Sequence, residues 1–153
     1  MSLEVTIKPL PAQRVLSIIR QTKVDRLNAV LHEALDILFG LLASQNAEPA
    51  GAPFGIYHGP VNAQADGPVE VCLPVNENTF GMDGVEVKEI AGGRAACVLM
   101  TGGQCNFPAI LDGYETAQDW IKNNGYTTVE APREIWYHEQ GQAAIMEIQW
   151  LFK

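Results

Sequence analysis

Pro53-Phe54-Gly55-Ile56-Tyr57 and Pro132-Arg133-Glu134-Ile135-Trp136 carry one pattern twice, 79 positions apart: a proline, then a short alternating strand reaching an aromatic residue. The match extends outward in both directions. Glu70 in Val69-Glu70-Val71-Cys72-Leu73 corresponds to Glu147 in Ile145-Met146-Glu147-Ile148-Gln149-Trp150, 77 positions on. Upstream, Lys8 corresponds to Lys88 and Arg14 to Arg94, both 80 apart. The offset drifts only where loops can shorten. The 153 residues therefore read as one domain built from two half-repeats, about 1–80 and 81–153.

Within each half the order of elements is the same. Val5-Thr6-Ile7-Lys8 and Val15-Leu16-Ser17-Ile18-Ile19 read as strands, with Pro9 and Pro11 bending the chain between them. Val24, Leu27, Val30, Leu31, Ala34, Leu35, Leu38, Leu41 and Leu42 recur at three- and four-residue spacing and predict a helix that ends at Ser44-Gln45-Asn46. Strands follow at residues 54–58 and 69–73. In the second half, strands at 85–90 and 94–100 flank Gly92-Gly93. Phe107, Ile110, Leu111, Tyr114, Ala117, Trp120 and Ile121 then predict a helix, with Gly125 as its left-handed cap. Strands at 134–137 and 145–150 complete the half. Half a chain is too small to bury its own sheet face and helix. The expected fold class is α+β: a duplicated β-β-α-β-β unit with pseudo-twofold symmetry, an antiparallel sheet with two helices on one side, and a central groove.

Composition narrows the function. Ten Lys and Arg against eighteen Asp and Glu give a formal charge of −8, which argues against direct nucleic-acid binding and suits a cationic partner. Cys72, Cys97 and Cys105 are odd in number and form no CxxC pair, so buried thiols are expected rather than disulfides or a zinc site, with Cys105 the most exposed. His32, His58 and His138 lack metal-ligand spacing. No GxSxG and no phosphate-cradling glycine loop occurs, so no cofactor or metal is expected. With neither a signal peptide nor an apolar run of bilayer length, the expectation is a cytoplasmic protein without membrane contact.

The duplicated half, the segments Pro132-Arg133-Glu134-Ile135-Trp136-Tyr137 and Ala144-Ile145-Met146-Glu147-Ile148-Gln149, and Tyr114-Glu115-Thr116-Ala117-Gln118-Asp119-Trp120-Ile121 with Gly125-Tyr126 resemble the GyrI-like, or bacterial effector-binding, domain. The resemblance spans essentially the whole chain and rests on the ordered set rather than one motif. It implies a pocket for small aromatic or cationic molecules. In multidomain relatives the module follows a helix-turn-helix domain and senses drugs; this chain starts at the first strand, so a stand-alone form is expected. Stand-alone relatives sequester ligands, inhibit DNA gyrase, or hydrolyse cyclopropane-containing natural products. A transcription regulator or gyrase is thus the candidate protein partner, and a strand edge or Trp150-Leu151-Phe152 would support a homodimer.

Glu134 is the leading site residue, in the segment that resembles the family's acidic pocket position. A carboxylate in an apolar pocket attracts organic cations, and burial would suit it to general acid–base work. The competing reading is a surface glutamate paired with Arg133. Alternation puts Trp136 on the face of Glu134, where an indole would stack on a planar cation, and puts Gly55 and Tyr57 at the matching positions of the first half. Tyr114 is a rim candidate. Glu147, with Glu70 as its counterpart, faces either the pocket or solvent, and in the pocket would act as a second carboxylate. Should the chain hydrolyse strained electrophiles, Glu134 is the expected base, and Tyr137 or Tyr57 the group that polarises the leaving atom.

Overall fold

A computed structural model describes residues 3–138 and 144–153. In chain order the elements are β1 (Val5–Leu10), β2 (Gln13–Thr22), α1 (Leu27–Ser44), β3 (Phe54–Tyr57), β4 (Gly67–Pro74), β5 (Glu86–Ile90), β6 (Gly93–Thr101), α2 (Leu111–Asn123), β7 (Arg133–His138) and β8 (Ile145–Leu151). The strand pairings within each unit are antiparallel. The fold class is α+β, with the expected β-β-α-β-β order in both halves.

Packing divides the chain into two compact units that are offset from the repeat by one strand. One unit is Ala12–Ala91; the other combines Met1–Pro11 with Gly92–Lys153. In the first, the strand order is β3-β4-β2-β5, and α1 packs on β2 and β4 through Ala34, Leu35, Leu38 and Leu42. In the second, the order is β1-β6-β8-β7, and α2 packs on β6 and β8 through Gly113, Ala117 and Ile121. Strand β1 thus serves the unit of the second half, and β5 that of the first. Both lie at the outer end of their unit's strand order, where Pro9 is tolerated because an edge strand can spare an N–H.

The two helices end alike. Asn46, at φ +55°, and Gly125, at φ +79°, take the left-handed conformation just past each helix. Ala47 N–H then reaches Leu42 O (3.1 Å), and Tyr126 N–H reaches Ile121 O (3.0 Å). This closes the last carbonyls of each helix in the same Schellman arrangement. Their inward stripes also correspond at 79 positions: Ala34 with Gly113, Leu38 with Ala117, Leu42 with Ile121. Three expectations need correction. The stretch Val24–Ser44 does have the length and hydropathy of a membrane span, although its inward stripe packs on the sheet. Phe107 and Leu111 are exposed and stand off the α2 stripe: Phe107 precedes the helix, and Leu111, its first residue, lies off the face that buries Gly113, Ala117 and Ile121. The terminal Leu151 and Phe152 are buried in their own unit, where Phe152 meets the Trp120 and Tyr126 rings and Arg94 stacks over it.

Candidate functional site

Glu134 is a buried carboxylate, 6% exposed. It lies on β7 directly across from Ile148 of β8, so Glu134, Trp136 and Ile148 share the face that α2 covers. The Tyr114 hydroxyl from α2 donates to it, and so does the Trp136 indole Nε1–H at 3.2 Å. Trp136, expected to offer a stacking face, is itself buried. Tyr114, expected at a rim, is a direct partner of Glu134, and its ring meets Trp150 edge-on at 6.4 Å. Arg133 is the neighbour of Glu134 along β7, on the other side of the strand, and its guanidinium lies 4.0 Å from Glu130.

Glu147 is also on the opposite face, since it neighbours Ile148 along β8, and it cannot share a proton with Glu134 there. Neither Glu147 nor Glu70 is solvent-facing; they are 4% and 2% exposed. Each is neutralised by the lysine of its unit's edge strand: Lys8 Nζ–Glu147 at 2.7 Å and Lys88 Nζ–Glu70 at 2.5 Å. The two ion pairs therefore correspond to each other across the repeat, Lys8–Glu147 matching Lys88–Glu70. Gln149 donates to Glu147 at 2.8 Å, while Ser17 donates to Glu70 at 2.5 Å and His58 Nε2 lies 2.8 Å from it. Burial pushes the Glu70 carboxyl up, but hydrogen bonds from Lys88, Ser17 and His58 outweigh it and hold the group below its usual value. Ser17, Glu70 and His58 do not form a nucleophilic triad of the Ser-His-Asp order, because the carboxylate stands between the serine and the imidazole. Tyr137 sits in the electrostatic field of Glu147, Lys8 and Cys97, and burial followed by the Glu147 charge raises its phenol. The side chain of His138 lies outside the described residues.

All three thiols are buried. Cys105, expected to be exposed, is folded into a 3-10 turn (Gly102–Cys105) that Thr101 and Gln104 cap reciprocally, and its Sγ–H donates to Met100 O at 3.4 Å. Burial, then the charge of Glu134, raises its thiol against a lowering contact from the Met146 backbone. Burial, then Glu147, pushes the Cys97 thiol to about 12. Starting from 9.0, that group's contribution to stability is complete below pH 9 and is lost as pH climbs toward 12. At pH 8 the folded chain is expected to react with Ellman's reagent at least about tenfold more slowly than the urea-unfolded chain, which should release three equivalents. A fast equivalent from the folded chain would contradict this burial. Among the described residues no His, Cys, Asp and Glu cluster could hold a metal.

The duplicate unit lacks the Glu134 constellation. Where the α2 unit has Tyr114, Glu134 and Trp136, the α1 unit has Leu35, Gly55 and Tyr57, each 79 positions earlier. The other copy has Leu35 and Gly55 where this one has Tyr114 and Glu134, so the phenol–carboxylate pair is not required by the scaffold itself. A rim position does not bring the Tyr114 hydroxyl to Glu134; the signal available in the sequence was the alignment of this phenol with Leu35. Gly113 also escaped notice, because apolar-stripe counting ignores glycine.

The fold recurs in solved structures. EcmrR in a complex with DNA matches with a TM-score of 0.81 at 18% identity, over 99% of this chain and 57% of that one. This chain thus spans little more than half of EcmrR; the isolated EcmrR C-terminal domain is covered over 99% of its length, with a TM-score of 0.76. SAV2435 bound to tetraphenylphosphonium matches at 0.65 and 15% identity, over 98% of this chain and 94% of that one. A hydrolase from Listeria innocua matches at 0.69 and 8% identity, over 98% and 92%. At such identities the likeness is one of fold. No curated protein matches the sequence. The family is fixed independently by the sequence itself: the model of the GyrI-like small molecule binding domain matches residues 3–150, almost the whole length over which the duplicated unit was traced, and the chain belongs to that family.

Proposed function

We propose that this domain binds small organic cations at Glu134, in a sensing or sequestering role within the cytoplasm. The observation that carries the reading is a buried carboxylate that accepts from the Tyr114 hydroxyl and the Trp136 indole, at a position where the duplicate unit has glycine. Hydrogen bonds from neutral donors offset part of the cost of burying the charge, and in a medium of low effective dielectric a carboxylate attracts an organic cation strongly. The family description as a small-molecule binder and the tetraphenylphosphonium bound to SAV2435 support the same ligand class.

The test is a thermal-shift series with tetraphenylphosphonium, the neutral triphenylphosphine oxide and a cyclopropane-containing alkylating agent, each followed by mass spectrometry of the recovered compound. A ligand at 100 times its Kd adds about 2.7 kcal/mol of apparent stability, which is easily resolved. Stabilisation by the cation with intact recovery is the expected result. Absence of any shift with the cation at millimolar concentration would remove the reading.

A second reading rests on the Tyr114–Glu134 hydrogen bond. Glu134 would take a proton from water as its oxygen bonds to a ring carbon, and the breaking carbon–carbon bond would collect a proton by way of the Tyr114 hydroxyl. The product would be the ligand plus one water. Tyr137 is unsuited to that part, since its charged neighbours are Glu147 and Lys8. Recovery of a hydrated alkylating agent faster than in buffer is the outcome that would favour this reading.

A further inference from the structure

Gly113 lies in the first turn of α2, buried, where a glycine is about 1 kcal/mol worse than alanine for the helix. Space explains its presence. A Cβ built on Gly113 would stand 2.5 Å from Ile148 Cδ1, 2.8 Å from Met100 Sδ and 3.2 Å from Met100 Cε. Ile148 and Met100 are fully buried, so neither has solvent to retreat into. Ile148 is also the residue directly across the ladder from Glu134. The helix therefore sits down on the sheet at the very row that carries the carboxylate, and the next residue, Tyr114, delivers its hydroxyl there. Along the buried stripe the residues grow from Gly113 through Ala117 to Ile121, so the closest approach falls at the Tyr114 end. The α1 unit carries Ala34 in place of Gly113, and there the following residue is Leu35, with no carboxylate to reach.

We infer that Gly113 is a positioning residue: its missing side chain lets α2 approach Ile148 closely enough for Tyr114 to hold Glu134. The functional consequence rests on the cation-binding reading above. Without the phenol, the carboxylate loses one of its donors and its fixed direction, and the preference for a cation over a neutral isostere falls.

The experiment uses the full chain labelled with 13C at the tyrosine Cζ positions, with Tyr114 assigned by comparison with Tyr114→Phe. In Gly113→Ala the Tyr114 resonance is expected to move toward that of a solvent-bonded phenol. In Gly113→Ala/Ile148→Val, which removes the Cδ1 that the new methyl meets, it is expected to return most of the way. A resonance unmoved in Gly113→Ala overturns the inference, and so does one that Ile148→Val fails to bring back. Should Gly113→Ala not fold, the double variant decides: a folded chain with the wild-type resonance supports the inference, and an unfolded one overturns it. Binding is read separately. Tetraphenylphosphonium affinity is expected to drop about tenfold in Gly113→Ala, the scale of one hydrogen bond to a charged group, with triphenylphosphine oxide unchanged. If the resonance moves and returns while neither ligand binds wild type, the cation-binding reading fails and the positioning role stands.

Discussion

Glu134→Gln is expected to weaken tetraphenylphosphonium binding about 30-fold while changing triphenylphosphine oxide by less than about threefold. Glutamine keeps the size of the side chain, and its oxygen can accept from the Trp136 indole while its amide N–H donates to the Tyr114 oxygen, so the packing of α2 on β7 and β8 should survive. What disappears is a full charge with little water around it. A charge-assisted contact of that kind contributes about 2 kcal/mol, which is the 30-fold ratio. Isothermal titration of both ligands against both proteins measures it. Equal losses for cation and neutral analogue would mean that shape, rather than charge, governs the site. Glu147→Gln should leave the ratio where it is, because that carboxylate faces away from α2 and already has Lys8.

The largest expected stability effect belongs to Glu70, a third buried carboxylate. Lys88→Met leaves Glu70 buried with Ser17 and His58 but without its ammonium partner. Breaking a buried pair from one side is costly, because the remaining charge is uncompensated. Lys88 retains some solvent contact, which moderates the effect to about 2–3 kcal/mol, or roughly 4–10 °C in Tm for a chain of this length. Glu70→Gln/Lys88→Met should recover much of that, since no charge is then stranded. The pH dependence follows from the same pair. The folded Glu70 carboxyl lies below 4.5, so its contribution is present above that pH and is lost as pH falls through the folded value. Its hydrogen bond to Glu70 raises Lys88 above 10.5, so the lysine's contribution is complete below that pH and disappears as pH rises through the folded value. The double variant should lose these parts of both the acid and the alkaline limb. Urea midpoints across pH 3–11 would decide, and a Lys88→Met midpoint equal to wild type would refute the energetic role of the pair.

The repeat made the fold legible. Matching Lys8 with Lys88 and Glu70 with Glu147 located corresponding strands, and period-three-and-four spacing located both helices. That Lys8 would grip Glu147, and Lys88 Glu70, was hidden, because an internal offset records which residues correspond and not which of them meet. Alternation correctly grouped Glu134 with Trp136 on one face of β7. The same rule applied across β7 and β8 would have separated Glu134 from Glu147, but it needs the register between strands, which no single strand contains. Cys105 misled because a Gly-Gly-Gln stretch looks like an open loop, whereas a reciprocal cap folds it inward. Gly113 was silent for a deeper reason: a side chain that is absent leaves no mark in a hydrophobic pattern.

The offset between repeat and packing unit has a topological consequence. Two covalent crossings, at Pro11–Ala12 and Ala91–Gly92, connect the units. A single nick at either crossing leaves the polypeptide tethered through the other, so separation by proteolysis requires two cuts. Rewriting the gene to begin at Gly92, with Lys153 linked to Met1, would spell each unit as one uninterrupted stretch, 92–153 followed by 1–11 and then 12–91. The natural order instead threads each edge strand into the other half's product, so a ribosome emitting residues 1–80 has made the first strand of a unit whose remaining strands it has yet to reach, while the unit it has nearly finished still waits for β5.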